Sequence, residues 1–255
     1  MLPCKTMLNG VSLRIHIAPA GYELDRITIP AQQMKADRVW LLAFNDREKD
    51  HAKSFRIEVE KILVSFGIET KVKECNIIDL YDVLRAIREI IEEEKNNDVF
   101  INVASGSKIE AIAGMLIASI FGELTSITPY YAVPVDYNVK PEITQPISVG
   151  LKSIEFLPEY HIEQPKPELI ELLHLISKRG GKIKKKQLME IAVENKLIKS
   201  NGEHKTQAYY ASLNNNYLDK MKDWKLIEIE SKGRSKEVQI TKAGMDMLKF
   251  LGPIE

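Results

Sequence analysis

Residues 38–44, Arg-Val-Trp-Leu-Leu-Ala-Phe, are apolar almost without interruption and stop at Asn45-Asp46. The run is too short for a buried helix and lacks the polar alternation of a strand with one wet face. It is the pattern of a strand covered on both sides, which arises where helices pack on the two faces of a parallel sheet. The neighbouring segments agree. Leu13–Ile17, Glu69–Cys75 and Val99–Val103 read as further strands, and each gap between them carries a helical pattern.

The first helix is expected from about Asp25 to Lys35. The second is expected to be long, from an N-cap at Asp46 to Phe66, with Phe55, Val59, Ile62, Leu63 and Phe66 at helical spacing and Gly67 as its stop. A third spans Ile78–Glu94, with Leu80, Val83, Leu84, Ile87, Ile90 and Ile91 on one face. A fourth, Ile109–Phe121, is apolar throughout and has small residues at Ala111, Ala113, Gly114 and Ala118. Ser126–Val133 and Val149–Phe156 read as later strands around a proline-containing excursion. Strand–helix alternation predicts parallel βαβ units with right-handed crossovers, hence an α/β, Rossmann-like, mostly parallel doubly wound sheet. Ligands of such sheets sit beyond the C-terminal strand ends, where the βα loops gather.

The pattern changes at Glu163-Gln-Pro-Lys-Pro167, a proline-punctuated linker. Beyond it come helices over Glu168–Lys178, Lys184–Asn195 and about Lys205–Lys222. Two alternating strands, Leu226–Glu230 and Glu237–Ile240, follow around the turn Ser231–Lys236, and Thr241 caps a last helix, Lys242–Leu251. Three helices, a hairpin and a closing helix predict an α+β winged helix-turn-helix. The expected organisation is thus residues 1–162 as a ligand-sensing and dimerisation domain, 163–167 as linker, and 168–255 as a DNA-binding domain.

Charge supports the division. The formal net charge is zero, yet residues 1–166 hold 19 Lys+Arg against 24 Asp+Glu, and residues 167–255 hold 17 against 12. A basic C-terminal part points to nucleic acid as its partner. On the third helix Lys205, Gln207, Tyr210, Asn214 and Asn215 are placed to meet double-stranded DNA, while Leu213, Tyr217, Leu218 and Met221 are apolar. Lys232, Arg234 and Lys236 at the hairpin are the residues a wing needs to reach the backbone. The other readings are a solvated helix with an ordinary basic hairpin tip, and a winged helix that serves as a protein-interaction module.

Several classes are disfavoured. No apolar run approaches the roughly 18–20 residues that span a bilayer, and the segment before Ser12 does not read as a secretory signal, so a cytoplasmic protein without membrane attachment is expected. Cys4 and Cys75 are too isolated for a disulfide framework or zinc site, and the histidines are scattered. No catalytic triad or carboxylate pair stands out, so neither catalytic nor metal-ligating residues are assigned. Gly21 stands alone in Ala18–Arg26, which rules out a dinucleotide fingerprint. Ala104-Ser-Gly-Ser-Lys108 lacks the upstream glycine of a Walker loop, and Ile109 replaces its magnesium-binding hydroxyl, so no cofactor is expected. The second loop does offer hydroxyls, a glycine and an ammonium at a helix N-terminus, a favourable place for an anion. By spacing alone it is equally an ordinary strand-to-helix turn with a solvated lysine.

Two segments together carry a resemblance. Asn102-Val-Ala-Ser-Gly-Ser-Lys-Ile-Glu-Ala111 resembles the signature loop of CARF (CRISPR-associated Rossmann fold) domains. His16-Ile-Ala-Pro-Ala-Gly-Tyr-Glu-Leu-Asp-Arg-Ile27, with Ala36-Asp-Arg-Val39, is similar to the archaeal branch that carries a C-terminal winged helix. Leu226–Gly244 resembles the wing and closing helix of MarR-like transcription regulators. The resemblance extends over nearly the whole chain. It implies a homodimer that binds a cyclic oligoadenylate, commonly cyclic tetra-adenylate, across its two-fold axis and reads two DNA half-sites. Carried over, the ligand contacts are Ala20, Gly21 and Tyr22 in the first loop, Ser105, Gly106, Ser107 and Lys108 in the second, and Asn45 after the second strand. Arg26 is a further cation there, or a surface ion-pair partner. Some members of the family cleave their ligand, so ring-nuclease activity stands as the alternative to a pure sensor.

Overall fold

A computed structural model describes residues 12–122, 126–140, 142, 144–158, 160, 162–198, 205–232 and 235–253. The chain divides into two compact units, Met1–Glu163 and Gln164–Glu255.

In the first unit the strands and helices alternate as β1 (Arg14–Pro19), α1 (Asp25–Gln33), β2 (Arg38–Phe44), α2 (Lys53–Ser65), β3 (Glu69–Cys75), α3 (Leu80–Glu93), β4 (Asp98–Asn102), α4 (Lys108–Phe121) and β5 (Ile127–Val133). A short pair, β6 (Asp136–Tyr137) and β7 (Ser148–Val149), precedes β8 (Ser153–Phe156). The sheet order is β3-β2-β1-β4-β5-β8, parallel as far as β5 and antiparallel at β8. This is the Rossmann-like arrangement, and the strand order reverses between β1 and β4. Helices α1 and α2 pack together, as do α3 and α4. Against the first pair Ala18, Val39 and Leu41 meet Ile27, Ala31, Val59 and Leu63 in one buried cluster. As the unbroken apolar run of β2 requires, Val39 through Ala43 are all buried.

At the N-terminal end of the strands Glu94 ties the sheet together. It accepts from Trp40 Nε1 at 2.9 Å, from Arg38 Nη1 at 2.5 Å and from Asn97 Nδ2 at 2.7 Å. Burial opposes ionisation of this carboxyl, but the three donors outweigh it and hold Glu94 below the usual carboxylate range.

Two local expectations are corrected. Helix α2 begins at Lys53, not after Asp46. Asp46 instead closes its own turn, its carboxylate accepting from the Glu48 N–H at 3.2 Å and its carbonyl from the Lys49 N–H at 3.1 Å. Residues 45–52 thereby become a loop at the C-terminal end of β2. The single strand expected over Val149–Phe156 is broken at Gly150, whose φ of 70° separates β7 from β8.

The second unit is a winged helix: α5 (Pro167–Ser177), β9 (Lys182–Lys184), α6 (Lys185–Glu194), α7 (Lys205–Leu213), a π-helical stretch (Asn214–Leu218), α8 (Asp219–Asp223), β10 (Ile227–Lys232), β11 (Ser235–Ile240) and α9 (Lys242–Leu251). Its sheet runs β10-β11-β9 and is antiparallel. Leu172, Leu173, Ile176, Leu188, Leu213 and Val238 form the centre of its core. Thr241 caps α9 as expected, its hydroxyl accepting from the Gly244 N–H at 3.1 Å. The second helix, expected from Lys184, begins at Lys185, because Lys184 ends strand β9. Lys182–Lys184 pair with Glu237–Gln239, so a third strand completes the wing sheet. Lys232 and Lys236, expected in the hairpin turn, belong to the paired strands. Among the described residues no helix is long and apolar enough to cross a membrane.

Candidate functional site

A cavity of about 370 Å3 lies beyond the C-terminal ends of β1, β2 and β4, at the reversal of strand order. That is where open α/β sheets place their ligands. Its walls come from the loop after β1 (Ala20, Gly21, Tyr22), from the loop between β2 and α2 (Lys49 to Ala52), and from the loop after β4 (Ala104, Gly106, Ser107).

The loops after β1 and β4 are locked backbone to backbone. A Cβ built on Gly21 stands 2.9 Å from both Cα and N of Gly106. Gly106 has φ of 76°, and a Cβ there falls 2.3 Å from Pro19 Cβ and 2.7 Å from Glu110 Oε2. Only glycine at both positions permits this approach. The two segments that carry the sequence resemblance are therefore one structural object.

Helix α4 opens with a reciprocal capping box. The Ser107 hydroxyl accepts from the Glu110 N–H at 3.3 Å, and Glu110 Oε2 accepts from the Ser107 N–H at 2.7 Å. The Glu110 side chain is buried and lines the cavity. Burial pushes its carboxyl up, against the stabilising effect of the Ser107 hydrogen bonds. The α4 N-terminus thus brings its own carboxylate, which occupies part of the ground expected for an external anion.

Beside it lies a buried ion pair. Glu23 and Arg26 are each 4% exposed, with Arg26 Nη1 3.1 Å from Glu23 Oε1. Ser148 Oγ donates to Glu23 Oε2 at 2.5 Å, and Arg26 Nε donates to the Ala132 carbonyl at 2.8 Å. The guanidinium carbon stands 4.9 Å from the centre of the Tyr131 ring. Tyr131 is held below the ordinary phenol range by a hydrogen bond with Tyr137, with Arg26 adding to the effect. Arg26 is therefore interior and not a surface partner. Tyr22 packs edge-on against Phe55 at 5.4 Å, so part of its ring is committed to the wall.

Of the residues expected to touch ligand, Ala20, Gly21, Tyr22, Gly106 and Ser107 converge on the cavity. Three do not line it. Asn45 is exposed, although its neighbour Phe44 reaches the cavity. Ser105 turns inward, 1% exposed, with its hydroxyl lacking a partner. Lys108 is exposed outside the cavity. Glu23, Lys49, His51 and Glu110 line it without having been singled out. Glu110 was legible as the fourth residue of Ser107-Lys-Ile-Glu110, a capping-box spacing; Glu23 had no sequence signal beyond its spacing to Arg26.

In the winged helix Gln207, Asn215 and Lys236 are exposed, and Tyr210 and Asn214 are half-buried. Leu213, Tyr217, Leu218 and Met221 are buried, as their apolar character predicts. The side chains of Lys205 and Lys232, and the whole of Arg234, lie outside the described residues. The π-helical stretch was not foreseen. Within it Tyr217 and Leu218 are buried, Asn215 and Asn216 are exposed, and Tyr217 OH donates to the Leu197 carbonyl at 2.6 Å. Within the basic run, Lys182 is engaged with Glu230 at 3.7 Å. Burial lowers the Lys185 ammonium pKa, and the charge of Lys236 lowers it further. A phosphate placed near these two lysines would relieve their repulsion.

Residues 14–137 match the family model described as HFX_2341_N-like, N-terminal. Residues 168–252 match the DUF6293 C-terminal winged helix domain. The expected order, a Rossmann-like domain followed by a winged helix, agrees with both. An uncharacterised protein of Methanocaldococcus jannaschii is 28% identical over 191 residues, 66% of this chain and 57% of that protein. The chain thus spans little more than half the length of this curated relative. Among solved structures, Can2 from Sulfobacillus thermosulfidooxidans in complex with cyclic tetra-adenylate has a TM-score of 0.39 at 18% identity, covering 93% of this chain and 63% of that one. Enterococcus italicus Csm6 bound to a fluorinated cyclic hexanucleotide has 0.39 at 16% identity, covering 50% and 35%. Likeness at this distance carries no argument about ligand or activity.

Proposed function

We propose that this chain, which pairs an HFX_2341_N-like domain with a DUF6293-type winged helix, is a cytoplasmic, homodimeric, DNA-binding regulator that senses a cyclic oligoadenylate, with cyclic tetra-adenylate the first candidate. The observation that carries the reading is the convergence of Ala20, Gly21 and Tyr22 with Ala104, Gly106 and Ser107 on one cavity at the strand-order reversal. These residues lie in the segments that resemble the CARF family.

The cavity is at the small end of ligand sites, which run from about 300 to 1,000 Å3, and is too small for four linked nucleotides. A ring of four repeats has a symmetry compatible with a two-fold dimer, so each protomer can take an equivalent part of it. In the second unit the exposed Gln207 and Asn215 suit base edges in the major groove, and the basic strands of the wing suit phosphates. Regulation then needs only that the ligand-bound and ligand-free proteins differ in DNA affinity.

Calorimetric titration of the full chain with cyclic tetra-adenylate, paired with DNA mobility shifts with and without ligand, tests the reading. Saturable binding that changes DNA affinity supports it, and the absence of ligand binding removes it. Product analysis after incubation separates a sensor, which returns the ring intact, from the alternative of a ring nuclease, which returns linear fragments.

A further inference from the structure

The inner polar groups of the cavity restrict which part of a nucleotide can enter. Glu23 is paired with Arg26 Nη1, and its second oxygen accepts from Ser148; Arg26 Nη2 has no hydrogen-bond partner among the described residues but is sealed from solvent. Glu110 is different. Its residue is 4% exposed and lines the cavity, and its Oε2 accepts from the Ser107 N–H, with the Ser107 hydroxyl also close to the carboxyl. Oε1 has no hydrogen-bond partner among the described residues and is not among the atoms sealed from solvent. The inner wall therefore presents one free carboxylate acceptor. Two further basic residues line the cavity and are unlike Arg26: Lys49 is largely exposed, ion-paired to Asp46 at 2.8 Å, and His51 is exposed.

A phosphate inside would face this carboxylate, while the charge of Arg26 is already offset by Glu23 and its unpartnered Nη2 is sealed from solvent, and burying uncompensated charge is costly. A flat heterocycle bearing an amine meets the opposite situation. Ala20, Tyr22, Phe44, Ala104 and Ile147 supply an apolar enclosure, and a carboxylate is a natural acceptor for an exocyclic amine. We infer that the cavity admits an amino-bearing nucleobase, with its phosphates left outside, and that Glu110 Oε1 accepts from the exocyclic amine. This rests on the proposal that the first unit binds a cyclic oligoadenylate, and it names how that ligand is oriented and read. It also gives the exposed Lys108 a place, beside phosphates that never enter the cavity.

Glu110→Gln isolates the effect. Glutamine at the third helical position keeps the capping box, with its carbonyl oxygen on the Ser107 N–H, and turns the cavity acceptor into a donor. The full chain and this variant are titrated with cyclic tetra-adenylate and its inosine counterpart, and with AMP and IMP, which differ by amine against carbonyl. Wild type should prefer the adenine ligand of each pair by about tenfold or more, and the variant should lose or reverse that preference. Thermal midpoints within a few degrees of each other certify the variant's fold; if it does not fold, the wild-type preference decides alone. Equal wild-type affinity within the pairs overturns the inference. So does tighter binding of adenine ligands by the folded variant, which would place phosphate against Glu110. Preference for AMP over IMP without any cyclic tetra-adenylate binding sustains the base pocket and removes the cyclic ligand. Binding of no probe at all overturns both.

Discussion

The glycine lock between the loops after β1 and β4 can be taken apart with three alanine substitutions. Gly67→Ala places a side chain at φ of 75° with nothing within 4 Å, so it measures left-handed strain alone, about 1 kcal/mol. Gly21→Ala carries no such strain but sets a Cβ 2.9 Å from two backbone atoms of Gly106, which cannot rotate aside. Overpacking of this kind costs roughly 1–3 kcal/mol. Gly106→Ala meets both penalties, with φ of 76° and a Cβ 2.3 Å from Pro19 Cβ. The expected order of destabilisation is Gly106→Ala largest, with Gly67→Ala smallest. For a unit of this size each kcal/mol lowers the thermal midpoint by roughly 2–4 °C. The chain has two tryptophans, so in a Trp224→Phe background Trp40 fluorescence follows the first unit. Ligand titration on the same proteins should show loss of binding for Gly21→Ala and Gly106→Ala but not for Gly67→Ala. If Gly106→Ala melts no lower than Gly67→Ala, the locked approach of the loops is wrong.

Other consequences follow from buried charge and from the wing. Burial, aided by the nearby Arg14 charge, pushes the His16 imidazole down to about 3. The folded protein keeps it neutral while the unfolded chain protonates below 6.5, so its contribution is complete above pH 6.5 and is lost as pH falls from there towards 3. The loss is about 2 kcal/mol at pH 5, and urea unfolding of His16→Phe should show a flatter acid limb than wild type. Glu94 is depressed in the fold, so its contribution is present above the unfolded glutamate pKa and lost as pH falls through the folded value. Glu94→Ala should cost about 3 kcal/mol near neutral pH, by leaving Trp40 Nε1 without an acceptor and Arg38 with only its exposed partner Glu69, and less in acid; an equal cost at pH 3 and pH 7 would refute the account. If the wing contacts phosphate, Lys236→Gln should weaken DNA binding evenly across sequences and reduce the salt slope by about 1. An unchanged slope would take Lys236 off the DNA.

The residues that defeated sequence reading did so for identifiable reasons. Asp46 has the chemistry of a helix cap, but that chemistry also closes a short turn, and the loop this creates supplies Lys49 and His51 to the cavity. Ser105, Ser107 and Lys108 look alike as donors along the chain. One turns inward, one is spent on a cap and one faces solvent, because α4 starts where it does against the sheet. Strand Lys182–Lys184 went unread because its partner, Glu237–Gln239, is more than fifty positions away. The π-helical stretch leaves no periodicity signal, since it shifts the helical register by a single residue.

What the chain's order of residues determined alone is local and periodic: the doubly covered strand β2, the alternation that makes the sheet parallel, the break near Pro167, and a hairpin closed by a capped helix. Each follows from apolar spacing and backbone chemistry acting over a few residues. Tertiary structure alone decided that Gly21 touches Gly106, that Glu23 and Arg26 are paired in the interior, and that the buried Glu110 lines a cavity. Those facts join loops that strand order brings side by side, and close packing between distant segments leaves no period in the sequence to read.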